Sequence, residues 1–136
     1  METFMECIFC KIANNEITPN IVYEGRKVMA FLDSDPINEG HILIIPKRHY
    51  LDVDEIPIEL LSDMMELSQK IVEVIKKLYA PDGYSIMQNG GEFNDIGHYH
   101  LHIFPRYKND GFGWTYSKEK FAVTKEIADK IKDILR

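Results

Sequence analysis

Between Pro57 and Pro81 the chain carries one long stretch with helical periodicity, and any fold it adopts has to bury one side of that stretch. Pro57 to Tyr79 reads as a helix with Pro57 at its first position, where a missing N–H costs nothing. Leu61, Met64, Ser68, Ile71, Ile75 and Leu78 recur at three- and four-residue spacing and form a single stripe. Pro81-Asp82-Gly83 ends the helix. Such a stripe calls for a sheet to cover it, and the rest of the sequence supplies the strands.

Phe9 to Asn14 reads as a short helical turn, and Thr18-Pro19-Asn20 as a turn. Ile21 to Tyr23 and Val28 to Leu32 are short β-rich runs joined across Gly25 as a hairpin. Asp33 to Pro36 is loop chemistry, closed by Asn38-Glu39-Gly40. His41 to Ile45 is apolar and β-branched, the pattern of a central strand buried on both faces and ended by Pro46. Tyr84 to Gln88 and His98 to Phe104 complete five strands, with Asn89-Gly90-Gly91 as a loop between them. Thr124 caps a last amphipathic helix whose Ile127, Ile131 and Ile134 are expected to point inward. The predicted class is α+β: a mainly antiparallel five-stranded sheet with one long and one C-terminal helix.

The 136 residues suffice for one domain spanning 1–136 with a core that needs no disulfide staples. Sixteen basic against 22 acidic residues give a net charge of −6, which argues against binding nucleic acid or an anionic membrane. Met1 to Cys7 has no basic start and no apolar run of a secretory signal, and no apolar stretch approaches membrane-spanning length. The two cysteines, Cys7 and Cys10, read as reduced thiols in a cytoplasmic protein.

The run His98-Tyr99-His100-Leu101-His102 places three of the five histidines within five residues. Side chains alternate along a strand, so His98, His100 and His102 share one face while Tyr99, Leu101 and Ile103 share the other. Three readings stand side by side: solvated histidines on an open sheet face, a metal site built from histidines two apart, or catalysis. Attack on phosphorus suits the arrangement. A neutral imidazole attacks through one nitrogen, while an acceptor, usually a backbone carbonyl, holds the proton on the other and fixes the tautomer. Neighbouring His102, and His41 if it comes close, can then donate to charged phosphoryl oxygens.

Cys7-x-x-Cys10 is open to three readings as well: a redox pair, half of a zinc site, or accident. The strand-then-helix context of a thioredoxin-like motif is missing. A closed zinc site needs four ligands, so two histidines would have to join the cysteines.

His98-Tyr99-His100-Leu101-His102-Ile103-Phe104 resembles the His-x-His-x-His-x-x signature of the histidine triad (HIT) superfamily. Cys7 to Ile12, Phe31-Leu32-Asp33, Gly40 to His49, Asn89-Gly90, Pro105-Arg106 and Gly111 to Trp114 resemble other parts of that family, so the likeness runs from Cys7 to about Trp114. It is nearest to the zinc-binding bacterial branch of small purine-nucleotide hydrolases and phosphoramidases. The resemblance implies a HIT-like fold, a homodimer using the Tyr84 to Gln88 strand and the long helix, and a nucleotidyl intermediate on His100 at the α-phosphorus. By the same resemblance His102 binds phosphate or assists the leaving group. Asp33 takes the ribose hydroxyls, Asn89 the phosphate or ribose side, and Ile12, Phe31 and Leu32 the base. His49 and His98 complete a structural zinc site with Cys7 and Cys10. The substrate class would be a phosphoramidate or dinucleoside polyphosphate of a purine nucleoside.

One stretch departs from the pattern. Relatives carry Gly-Gln-Ser or similar before the triad, whose side chains donate to phosphate oxygens, whereas this chain has Gly91 to Gly97, with Asn94 standing for the Gln as a phosphate donor of shorter reach and Asp95 at the hydroxyl position. A carboxylate beside a phosphate is repulsive, so an amine leaving group is expected to be preferred to a polyphosphate. Two other readings are a zinc-dependent hydrolase using the histidine strand as ligands, and a non-catalytic nucleotide-binding sensor.

Overall fold

The computed structural model describes residues 6–135. Its elements in chain order are α1 (Ile8–Ala13), β1 (Ile21–Glu24), β2 (Val28–Leu32), β3 (Ile42–Pro46), α2 (Ile58–Tyr79), β4 (Gly83–Met87), β5 (Leu101–Arg106) and α3 (Lys125–Leu135). The strands form one antiparallel sheet in the order β1-β2-β3-β5-β4. This is the α+β, five-stranded architecture expected from the sequence. Among the described residues no helix is long and apolar enough to cross a membrane.

Each face of the sheet has its own core. Val28, Ala30, Ile42, Ile44, Leu101 and Ile103 pack with Tyr99 against Leu60, Met64, Ile71 and Ile75 of α2. On the opposite face Met29, Phe31, Leu43 and Ile45 pack against Cys7, Phe9, Cys10 and Ile12 from α1 and its approach. β3 is buried along its whole length because it lies between both layers, which explains its unbroken apolar run.

α2 begins one residue later than the sequence suggests. Pro57 is extended, with ψ 140°, and caps the helix, its carbonyl accepting from Leu60 and Leu61 at 3.0 and 3.1 Å. The buried stripe starts at Leu60 and runs through Met64, Ser68, Ile71 and Ile75. Leu61 is only partly covered, and Leu78 is 68% exposed, at a groove it lines with Val22, Leu32 and Ile42. A larger difference concerns α3. Thr124 Oγ1 accepts from the Ile127 amide at 3.3 Å, as a cap should. Ile127, Ile131 and Ile134, however, are 45%, 60% and 86% exposed rather than inward. The stripe is real, but none of its residues is buried.

The histidine strand is also offset. The ladder of β5 starts at Leu101 and runs through Pro105 to Arg106. Its pairing with β3 ends at Ile103, and the Pro105 carbonyl accepts from Asn38 Nδ2 at 2.9 Å. The side of Pro105 that lacks a donor therefore meets a loop and not a ladder, which is where a strand tolerates proline. His98 to His100 enter the strand in irregular backbone, held by the Tyr99 amide donating to the Tyr50 carbonyl at 2.7 Å.

Candidate active site and metal centre

His41, His98, His100 and His102 lie on the α1 side of β3 and β5 or at their edge; a main-chain group orients the first three, and the His41 side chain orients His102. His100 is 3% exposed. Its Nδ1 lies 2.7 Å from the His98 carbonyl oxygen. A carbonyl only accepts, so Nδ1 carries the proton and Nε2 is left with a free lone pair. The Phe9 ring stands edge-on to His100 at 5.2 Å and also touches His98 and Phe31, which closes the back of the site. Phe9 went unnoticed as a site residue; its place between Cys7 and Cys10 on a helical turn was the only signal.

His98 is fully buried. Its Nε2 donates to the Pro46 carbonyl at 2.8 Å, so its lone pair is on Nδ1. That atom faces Cys7 Sγ at 3.4 Å and Cys10 Sγ at 3.5 Å, and His49 Nδ1 lies 3.1 Å from Cys10 Sγ. Burial pushes the His98 pKa down to about 4, so the ring is neutral and able to ligate. The four donor atoms all lie within 4.8 Å of one another. Around tetrahedral zinc, with bonds of about 2.3 Å to sulfur and about 2.0–2.1 Å to nitrogen, adjacent donors are roughly 3.5 Å apart. Cys7, Cys10, His49 and His98 can therefore hold a metal ion with little movement. Local sequence arranges this: Cys7 caps α1, its sulfur accepting from the Cys10 amide, so the two thiols rise on one side of the first turn.

His41 and His102 form a second pair. The Ile37 amide donates to His41 Nδ1 at 3.0 Å, so the neutral His41 ring carries its proton on Nε2. Nε2 in turn lies 2.9 Å from His102 Nδ1, which must accept, leaving the His102 proton on Nε2. Burial lowers both pKa values, that of His102 to about 4. Asp33 Oδ2 lies 3.4 Å from His41 Nε2 and 3.9 Å from His102 Nδ1, while its Oδ1 accepts from the Asp35 amide at 2.9 Å. These three side chains also have metal-like spacing, since a point about 2.0 Å from each ligating atom exists. The Ile37 amide argues against a metal there, because it forces a proton onto the nitrogen that would have to ligate. Gly40, at φ +87°, makes the turn into His41 and lies against Tyr79, whose ring would be 2.5 Å from an added Cβ. Arg106 holds the far side of the loop by pairing with Asp110 at 2.7 and 3.1 Å, and Asn38 also donates to Asp110.

The remaining expected residues divide. Phe31 and Ile12 are buried beside Phe9 on the histidine face. Leu32 is not there: it follows Phe31 onto the opposite face and lines an apolar groove with Val22, Ile42, Leu67 and Val74. Strand alternation explains this correction. Asn94 also departs from expectation. Its carboxamide spans the loop, donating to the Leu51 carbonyl at 3.2 Å and accepting from the Gly97 amide at 3.1 Å, so it braces the turn and does not offer itself to a phosphate. Asp95 faces the site instead, with Oδ1 3.8 Å from His100 Nε2 and the side chain 82% exposed. Asn89 is exposed just after β4.

The HIT domain model matches residues 14–109, a span that contains Asp33, His41, His49 and all three strand histidines. The chain belongs to the HIT family. Among relatives, the adenosine 5′-monophosphoramidase of Candida albicans is 34% identical over 99% of this chain and 95% of its own. A HIT family protein of Bacillus anthracis, solved by crystallography, is 37% identical, covers 95% of this chain and 94% of its own, and superposes with a TM-score of 0.84. The Zn-bound histidine triad family protein of Mycobacterium smegmatis is 29% identical, with 86% of both chains covered and a TM-score of 0.74. The histidine strand β5 lies between β3 and β4 in this HIT fold.

Proposed function

We propose that this HIT protein is a nucleotide hydrolase or transferase that acts at the α-phosphorus of a purine nucleotide conjugate through a covalent nucleotidyl group on His100 Nε2. The observation that carries this reading is the 2.7 Å contact between His100 Nδ1 and the His98 carbonyl, which holds a proton on Nδ1 and leaves the Nε2 lone pair for attack. His102 Nε2–H, set by the chain from the Ile37 amide through His41, supports the phosphoryl oxygens where negative charge develops. Asp33 takes the ribose hydroxyls, Ile12 and Phe31 the base side, and Asn89 the phosphate side. The exposed carboxylate of Asp95 favours a phosphoramidate over a dinucleoside polyphosphate, in keeping with the name of the Candida relative.

The cluster of Cys7, Cys10, His49 and His98 is assigned to structural zinc, which would supply a cross-link between α1 and the entry to β5 and takes no part in the reaction. Two of its donors are thiolates, which suits a reducing, cytoplasmic setting. The whole of residues 1–136 is taken as one domain. The exposed Tyr84 and Ile86 on edge strand β4 and Met65 on α2 support a homodimer through that edge. The net charge of −6 disfavours nucleic acid as a partner.

Changing His100 to Ala tests the reading directly. Turnover of an adenosine phosphoramidate should cease while bound zinc stays at wild-type stoichiometry. Loss of the metal together with activity would favour a zinc hydrolase, and nucleotide binding by wild type without any turnover would favour a sensor.

A further inference from the structure

We infer that Asp95 is the general base for the second half of the reaction, activating the water that removes the nucleotide from His100; this rests on the His100 reading above. Three observations point to it. The Asp95 carboxylate lies 3.8 Å from His100 Nε2, close to the reacting atom but beyond hydrogen-bond range, so it does not block the lone pair. The side chain is 82% exposed whereas the His100 side chain is 3% exposed, which puts the carboxylate at the boundary that an incoming water must cross. Its backbone follows Asn94, which is tied at both ends, to Leu51 and to Gly97, while its side chain projects toward His100. The other nearby carboxylate, Asp33, is already held by the Asp35 amide and lies beside His41 and His102.

The step balances without any further reagent. The water oxygen bonds to phosphorus as the bond from phosphorus to His100 Nε2 breaks. The electron pair of that bond returns to Nε2. One water proton passes to the Asp95 carboxylate and on to solvent, and the nucleoside monophosphate leaves. A residue repulsive toward a polyphosphate leaving group in the first half thereby acquires a role in the second. Base assistance of this kind is worth on the order of 10²-fold or more.

The two halves can be timed separately by rapid quench, using an adenosine phosphoramidate of a fluorescent aromatic amine. Asp95→Asn should release amine in a burst equal to the enzyme concentration at the wild-type rate. AMP release should be slowed by about 10², with AMP-modified protein accumulating in intact mass spectra. Asp95→Glu should recover part of the AMP rate, and added hydroxylamine, a nucleophile with less need of a base, should restore turnover of Asp95→Asn. Unchanged AMP release, or equal slowing of both halves, overturns the role of Asp95 and leaves that of His100 standing. Turnover with no trapped nucleotide in any variant, or no amine release by wild type, overturns the His100 reading itself.

Discussion

The pairs His49–His98 and His41–His102 flank the same ring, that of His100, yet the structure puts them to opposite use. His98 faces a main-chain carbonyl, that of Pro46, so its remaining nitrogen is a lone pair turned toward two thiols. His41 faces a main-chain amide, that of Ile37, so its remaining nitrogen is a donor passed on to His102. The backbone partner decides which histidine can be a ligand and which a hydrogen-bond donor. The sequence run His98-x-His100-x-His102 looks symmetric; the proton map is not.

The strongest test of this contrast compares single losses at the two ends. His100→Ala should lower turnover by at least about 10³-fold with metal and melting temperature intact, whereas His98→Ala should strip the metal. Metal content by elemental analysis alongside kinetics separates the two, and metal lost from both variants would break the division. Next in size is the metal itself. Removing it, or changing Cys7 to Ser, should cost several kcal/mol and about 10 °C or more in Tm, since a buried thiol and imidazole cluster is left without its ion. A calorimetric scan with and without chelator checks this.

His41→Ala comes third. It leaves the metal untouched but removes the donor that sets the His102 proton, and kcat should fall by about 10². The pH response sharpens the same point. Burial holds the His102 pKa at about 4, against 6.5 when the ring is free. Between those values the unfolded chain binds more protons than the folded one, so stability is full above pH 6.5 and declines as the pH falls toward 4. His102→Gln should flatten that slope in melting curves taken across this range. Smallest is Leu32→Ala, which should leave the KM for nucleotide unchanged because Leu32 lines the α2 groove, while Phe31→Ala raises it.

Much of the fold was legible because it follows from periodicity. The stripe of α2, the continuous apolar run of β3 and the alternation after His98 each announce one element and the face it buries. What escaped were features set by contact. Leu78 and the α3 isoleucines carry the right spacing, but spacing cannot say whether a surface lies opposite. Leu32 and Phe31 are adjacent in sequence and therefore diverge in space, which a motif reading does not convey. At the site, the grouping of Cys7, Cys10, His49 and His98 was readable from residue type and resemblance. The Pro46 carbonyl and the Ile37 amide were not, since every residue but proline has both groups and only the folded chain selects one. Asn94 left its expected role for the same reason: the loop turns it inward to satisfy backbone and leaves only Asp95 facing the site.

The central claim concerns where protons sit, and histidine ring nitrogens can be observed directly. Long-range proton–nitrogen correlation spectra of the zinc-loaded protein at pH 7.5 should show His100 protonated at Nδ1 alone. His41 and His102 should carry their protons at Nε2, and His98 should carry Nε2–H with a metal-shifted Nδ1. A His100 ring protonated at Nε2, or a His41 ring protonated at Nδ1, would contradict the account.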